Sequence, residues 1–368
     1  ELNWRPRNVA SVVEEIRTLH EKYPEMEGVF FDEEVHNIKR SFNISLAKAI
    51  RSAGLDHLKY EAMCEYASLD EEALEEMRSA GYYKIRFGIE TGSDKVAEKM
   101  TLGKKHDLDK LRSMVKFGKS LGMLIYGTIS IGGLGSSREE DQKTVDLVYE
   151  MASKGWLDEI QVSINTPQPG TDFYNSCVEK SLLSPATNWE GFDGNGQVVV
   201  HYPHYPAEEI QSSFKKALSA FDLGKEKSQS GTFSENAKSS FNLIPEGARV
   251  LVLRSVRNWM VRLILENLNN NVDLLGQDVS AKDLEGLAGL NQIHSYGSGF
   301  FSAESISTDL IEKLRNEQYD FILVPVANNH LQGFQNVLEV AQQIDPENIF
   351  YVYPEGHLQP ASDSPVAI

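Results

Sequence analysis

Cysteine is scarce in this chain of 368 residues: there are two, Cys64 and Cys177. Two thiols cannot build a disulfide framework or, by themselves, a zinc site, and so little cysteine suits a reducing, cytoplasmic compartment. Long apolar runs are absent as well. None approaches the roughly 20 residues needed to span a bilayer, and the first residues carry no signal-peptide pattern. Positive charge is in deficit, 36 Lys and Arg against 54 Asp and Glu, for a formal net charge of −18. Nucleic acid and anionic membranes both require clustered cations, so neither is an expected partner. The glycine-rich stretch Gly127–Glu139 lacks the Gly-Lys-Ser/Thr ending of a phosphate loop, no Ser-His-Asp arrangement stands out, and His36, His106, His201 and His204 lack metal-ligand spacing. The length suffices for about two to three domains, and an apolar fraction of 41% fits a globular protein with a sizeable core.

What is present is one phrase repeated: helix, short apolar strand, polar loop. Val9, Val12, Val13, Ile16 and Leu19 follow helical spacing, with Ser11 and Glu14 as a capping-box candidate. Strands are predicted at Gly28–Phe31, around Lys59–Glu65, at Tyr83–Ile89, at Leu124–Ile131 and at Glu159–Ile164. Between them lie helices, with Ser68 and Glu71, and Ser137 and Glu140, as further capping pairs. Strands alternating with helices imply a parallel sheet with right-handed crossovers, and in such sheets ligands gather at the carboxyl ends of the strands. A strand at Gln197–His201 and a helix over Pro206–Leu223 come next. Gly224–Asn242, rich in Ser, Lys and Gly, reads as a linker. The expected organisation is therefore 1–227 as a first domain, 228–245 as linker and 246–368 as a small doubly wound α/β domain.

Polar groups stand at each strand end. Asp32, Glu33 and Glu34 either bind a ligand ammonium group or cap a helix as solvated charge. In Ile85–Ser93, IRFGIETGS, Glu90 ends an apolar strand and precedes Gly92, which admits close backbone approach. It is a ligand carboxylate or a satisfied structural one. Gly127–Glu139, GTISIGGLGSSRE, offers bare backbone to a ribose or nucleoside. Gln161, Ser163 and Asn165 share one strand face by period two, either toward a ligand or as an ordinary polar face. In the second domain Ser298-Gly299 and Asn328-Asn329-His330 come after strands, as nucleotide or sugar contacts or as ordinary loops.

Together these motifs, in this order, resemble the radical S-adenosylmethionine superfamily over about Leu2–Lys227, in particular the branch that usually carries a preceding cobalamin-binding domain. Trp4-Arg5 with Asn8-Val9 resembles the segment after that family's cluster loop. FFDEEV (Phe30–Val35) resembles the strand end that holds the methionine amino group, and FGIETGS (Phe87–Ser93) the strand reaching the ribose and methionine parts. GTISIGGLGSSREED (Gly127–Asp141) resembles the fifth-strand glycine motif, and QVSINTPQPGTDFY (Gln161–Tyr174) the sixth strand and its turn. The resemblance implies an incomplete parallel (β/α)6 partial TIM barrel, strands two to six, followed by a Rossmann-like domain. It implies S-adenosylmethionine contacts at Asp32, Glu33, Glu90, Ser93, Gly127, Ser130, Gly132, Gln161, Ser163 and Asn165.

The chain departs from that family in one decisive respect: the CxxxCxxC thiolates that hold a 4Fe–4S cluster are missing. Relatives also often have Arg where EAMCEYA places Glu65. Either the chain is the C-terminal piece of a longer enzyme, or it is a clusterless nucleoside- or sugar-binding or scaffold protein. The first is favoured because Gly28–Phe31 would otherwise be an uncovered apolar edge. The expected parent cleaves S-adenosylmethionine reductively to a 5′-deoxyadenosyl radical, for methyl transfer with cobalamin or another radical modification. Its expected partners are a small-molecule substrate, the missing N-terminal portion and a reductant such as flavodoxin or ferredoxin. The last domain weakly resembles the Rossmann-like half of some glycosyltransferases, and that likeness implies no activity.

Overall fold

The computed structural model describes residues 5–100, 106–184, 189–194, 197–278, 282–327, 331 and 333–363. Trp4 and Asn328–His330 lie outside them. The chain divides into two compact units, Glu1–Gly224 and Lys225–Ile368.

In the first unit five strands pair in parallel in the order β1-β2-β3-β4-β5: β1 Gly28–Phe31, β2 Lys59–Cys64, β3 Tyr82–Glu90, β4 Leu124–Ile131 and β5 Glu159–Ile164. The helices α1 (Val9–Lys22), α2 (Arg40–Ser52), α3 (Glu71–Ser79), α4 (Asp94–Lys99), α5 (Leu108–Ser120), α6 (Arg138–Ser153) and α7 (Asp172–Glu179) punctuate them. The strands follow one another in sequential order and all run parallel, the parallel sheet expected from the alternation and the arrangement a partial barrel requires. Alternate strand residues decide which face the helices cover. Ile85, Phe87 and Ile89 of β3 are fully buried, as are Ile125 and Ile131 of β4. Each such side chain contributes about 1.5–3 kcal/mol, so a one-residue slip that buried Lys84 and Arg86 instead is prohibited. Among the described strands β1 is at the edge, paired only to β2, and Phe30 on it is 45% exposed.

Capping matches the sequence only in part. Ser137 caps α6 and accepts from the Glu140 N–H at 3.3 Å, as expected. The α1 cap is Asn8 rather than Ser11, and the α3 cap is Asp70 rather than Ser68. In both cases an Asx side chain just ahead of the helix accepts from a first-turn N–H, Asn8 from Ala10 and Asp70 from Ala73. No regular strand forms at 197–201; Val200 makes a single antiparallel bridge to Leu183.

The stretch expected to link the units is helical. Helix α8 runs Ala207–Ser240, 34 residues without a break. Ala217 and Phe221 enter the first core, while Phe233, Ala237 and Phe241 enter the second. The last three recur every four residues, a helical signal that the surrounding Ser, Lys and Gly mask in composition.

The second unit contains β6 (Val250–Leu253), α9 (Asn258–Asn267), β7 (Val272–Gly276), β8 (Leu290–Ser295), α10 (Thr308–Asn316), β9 (Phe321–Pro325), α11 (Gln335–Ile344), β10 (Asn348–Val352) and β11 (Leu358–Pro360). The sheet order is β11-β10-β9-β6-β7-β8, parallel except for β11. Every residue of β6, β7 and β9 is buried. That is the pattern of parallel strands covered on both faces, and the order reverses between β6 and β9 in the doubly wound manner.

Candidate functional site

The face of the first sheet opposite the helices is mostly polar, with Phe30, Met63 and Leu124 among its residues. Strand register aligns its side chains in rows: Glu61, Lys84 and Leu124; then Arg86, Tyr126 and Glu159; then Gly88, Thr128 and Gln161; then Ser130 and Ser163. Hydrogen bonds run along and across these rows. Tyr126 Oη donates to Gln161 Oε1 at 3.3 Å, Gln161 Nε2 to Ser163 Oγ at 3.4 Å, and Asn165 Nδ2 to Ser130 Oγ at 2.9 Å. The sequence-predicted residues Ser130, Gln161, Ser163 and Asn165 are thereby brought together at the carboxyl ends of β4 and β5.

Glu90 stands at the carboxyl end of β3 in an exceptional conformation. Its φ is 62°, the left-handed region that L-residues adopt at a cost of about 1–2 kcal/mol. The register shifts between Gly88 and Glu90, a bulge that re-aims the strand end. Backbone amides of the next residues pin the turn. The Thr91 N–H donates to the Ile89 carbonyl at 2.8 Å, and the Ser93 N–H to Thr91 Oγ1 at 3.1 Å. The buried Thr144 hydroxyl on α6 receives the Gly92 N–H at 2.9 Å and lies 3.1 Å from the Thr91 hydroxyl.

Two residues of the same loop serve the fold. Gly92 is glycine because a Cβ there would lie 2.5 Å from the Lys143 carbonyl oxygen. The close approach is to helix α6, where a ligand was expected. Ser93 is fully buried, caps α4 by accepting from the Val96 N–H, and donates to Glu140.

The glycine-rich strand end divides similarly. Gly127 has the parity of Ile125 and Ile129 and so faces the helices, which corrects its assignment to the ligand face. A Cβ on it would meet Ile89 Cδ1 at 2.8 Å and Leu157 Cδ1 at 2.9 Å. Gly132 has φ 76° and lies against Ile210 of α8. Its N–H donates to Asp141 Oδ2 at 3.0 Å. Asp141 also accepts from Ser136 at 2.8 Å and Tyr205 at 3.0 Å. Burial pushes its carboxyl up from the ordinary range, against those hydrogen bonds. Asp141, which the sequence did not single out, thus holds the GGLGSS loop shut.

At the end of β1, Asp32 is exposed. Glu33 is hydrogen-bonded to His36 Nδ1, and the other ring nitrogen shares a 2.8 Å hydrogen bond with the Tyr82 hydroxyl. Helix α2 starts only at Arg40 with Lys39 as its cap, so these acids do not cap a helix. Asn37 instead brackets the Glu65 backbone, with hydrogen bonds of 2.9 and 2.8 Å, and ties the acidic loop to the end of β2.

Arg86, Tyr126 and Thr128 join this face without having been predicted. The signal for Arg86 was available as Lys84, Arg86, Gly88 and Glu90 alternating with Ile85, Phe87 and Ile89.

The cysteines do not fit an iron–sulfur cluster. Both are buried and unbridged, with Cys64 on β2 and Cys177 on α7, and burial pushes both thiols above their ordinary range. A cluster needs ionised thiolates converging on one point. Among the described residues no group of three or more His, Cys, Asp and Glu has metal-binding geometry, and no helix is long and apolar enough to cross a membrane.

No protein-family model matches the chain. An uncharacterized methyltransferase of Pyrococcus horikoshii is 30% identical over 221 residues, 60% of this chain and 46% of that protein. A cytidylyl-2-hydroxyethylphosphonate methyltransferase of Streptomyces wedmorensis is 26% identical over 187 residues, 49% of this chain and 34% of that one. The chain therefore spans between a third and a half of the length of these curated relatives. Among solved structures, the radical S-adenosylmethionine methyltransferase TsrM of Kitasatospora setae, with cobalamin and a [4Fe–4S] cluster bound, aligns with a TM-score of 0.43 at 17% identity. It covers 56% of this chain and 41% of that one.

Proposed function

We propose that this chain is the C-terminal portion of a radical S-adenosylmethionine enzyme, with methyl transfer as the reaction class, and that the polar face of its first sheet binds S-adenosylmethionine. The observation that carries the reading is Glu90, held in a left-handed conformation at the carboxyl end of β3, which pairs with β4, while Ser130, Gln161, Ser163 and Asn165 stand along the adjoining β4 and β5. Strained backbone of this kind collects at ligand sites. The 30% identity with a methyltransferase supports the reaction class.

The donor set suits the molecule. The Glu90 carboxylate would accept from ribose hydroxyls and Asp32 from the methionine ammonium group, and the amides of Gln161 and Asn165 would offer both donors and acceptors to a nucleoside. When bound, S-adenosylmethionine supplies a methyl group or, on one-electron reduction, the source of a hydrogen-abstracting radical. These residues bind and orient it. Because the two thiols fit no cluster, the cluster and its electron supply are assigned to a preceding segment of the same protein. That segment would lie along the exposed edge of β1, carry cobalamin and meet a flavodoxin- or ferredoxin-like reductant.

Equilibrium dialysis of this chain with labelled S-adenosylmethionine tests the reading. Binding is expected, and Glu90→Gln should weaken it by about 10-fold to 100-fold, the worth of hydrogen bonds to a charged group. No binding, or equal binding by the variant, overturns it. After anaerobic reconstitution with iron and sulfide, the chain should not cleave the cofactor; turnover by this chain alone would refute the preceding-segment assignment. A second reading, a clusterless nucleoside-binding protein, draws on the burial of both thiols. It requires an upstream reading frame without CxxxCxxC.

A further inference from the structure

One cation on the polar face is unlike the rest. Lys84 is committed to two acids, at 3.0 Å from Glu159 and 3.7 Å from Glu61. Arg86 is held by three neighbours but used on only one edge. Its Nε–H is bonded to Glu61, which is itself buried. Its guanidinium lies 4.7 Å from the ring centroid of Phe30 and 4.5 Å from that of Tyr126. These rings come from β1 and β4, strands on opposite sides of β3 in the sheet. Among the described residues no hydrogen bond reaches Nη1 or Nη2. The side chain retains 27% of its exposure, so those two groups are open to a ligand.

An arginine fixed in this way has lost its rotamer freedom before any ligand arrives, and its remaining edge is a planar two-donor fork. That fork matches the oxygens of a carboxylate or phosphate group. The flanking rings stack on the guanidinium and leave its edge bare. Glu61 neutralises the charge without covering Nη1 and Nη2. The row holding Arg86 and Tyr126 adjoins the row of Gly88, Thr128 and Gln161, and so lies one step toward the amino ends of the strands from the proposed cofactor site.

We propose that Arg86 binds an oxyanion group of the substrate, a carboxylate or a phosphate-like group, through Nη1 and Nη2 on the inner face of the sheet. This rests on the reading of that face as the reaction site. It makes the substrate an anion, in a protein whose net charge of −18 repels anions elsewhere.

Inorganic phosphate and malonate serve as separate probes. Phosphorus-31 line broadening reports the first, and proton saturation transfer from the protein reports the second. At least one should bind the wild-type chain, and which one binds distinguishes a tetrahedral from a planar group. Arg86→Gln should weaken that binding about tenfold or more, and Arg86→Lys, which keeps the charge but loses the fork, should weaken it too. S-adenosylmethionine affinity, measured on the same samples, should stay within about twofold of wild type, which also shows that the variants are folded. Absence of binding by both probes, or undiminished binding by Arg86→Gln, overturns the proposal. Phosphate or malonate binding that depends on Arg86, in a chain that binds no S-adenosylmethionine, would uphold the anion site and refute the cofactor reading.

Discussion

Replacing Glu90 by alanine and, separately, by glycine separates the work of its side chain from that of its backbone. At φ 62° an L-residue bears about 1–2 kcal/mol of steric cost that glycine does not. Glycine in turn loses about 0.5–1 kcal/mol to alanine in ordinary strand because its unfolded chain is freer. The difference favours glycine by about 1 kcal/mol, the reverse of the usual order in a strand. In urea, with a slope of about 1–3 kcal/mol per molar, Glu90→Gly should unfold at a midpoint about 0.3–1 M above that of Glu90→Ala. Both variants should bind S-adenosylmethionine equally poorly, because both lack the carboxylate. A glycine variant no more stable than the alanine variant would show that position 90 stores no strain. It would also remove the observation on which the cofactor reading depends.

Gly127→Ala should destabilise the first unit by about 1–3 kcal/mol, because its methyl would crowd Ile89 and Leu157. It should leave S-adenosylmethionine binding unchanged, since it faces the helices; a loss of affinity without a loss of stability would contradict its placement. In the second unit, burial lowers the pKa of His294 below its ordinary value. Asp273 and Glu317 oppose the shift, Lys313 reinforces it, and Tyr319 lies within 3.4 Å. The unfolded chain then binds the extra proton below about pH 6.5, so stability should fall as pH drops through that value toward the folded pKa. Urea midpoints between pH 7.5 and 5 check this, and His294→Gln should flatten the slope.

The alternation of strand and helix was legible because the first sheet's strands alternate apolar and polar residues, the second sheet's buried strands leave short apolar runs, and helices repeat at 3.6 residues. Ser137 was legible as a cap because its hydroxyl needs only the local chain. Gly127 was misread through its neighbours' glycines, although period two already set it with Ile125 and Ile129. The helix over 224–240 was missed because composition hid the spacing of Phe233, Ala237 and Phe241.

By itself the sequence determined the five strands of the first sheet, which of their faces are apolar, and that polar groups crowd their carboxyl ends. Each of these is a property of local spacing. The tertiary structure decided what no local spacing contains. The Thr144 hydroxyl reaches Gly92 across 52 positions, Glu90 is left-handed, and Arg86 lies between rings from two other strands. The physical reason is the same in each case: the partner that fixes the group is distant in the chain, and only packing brings it within hydrogen-bonding or stacking range.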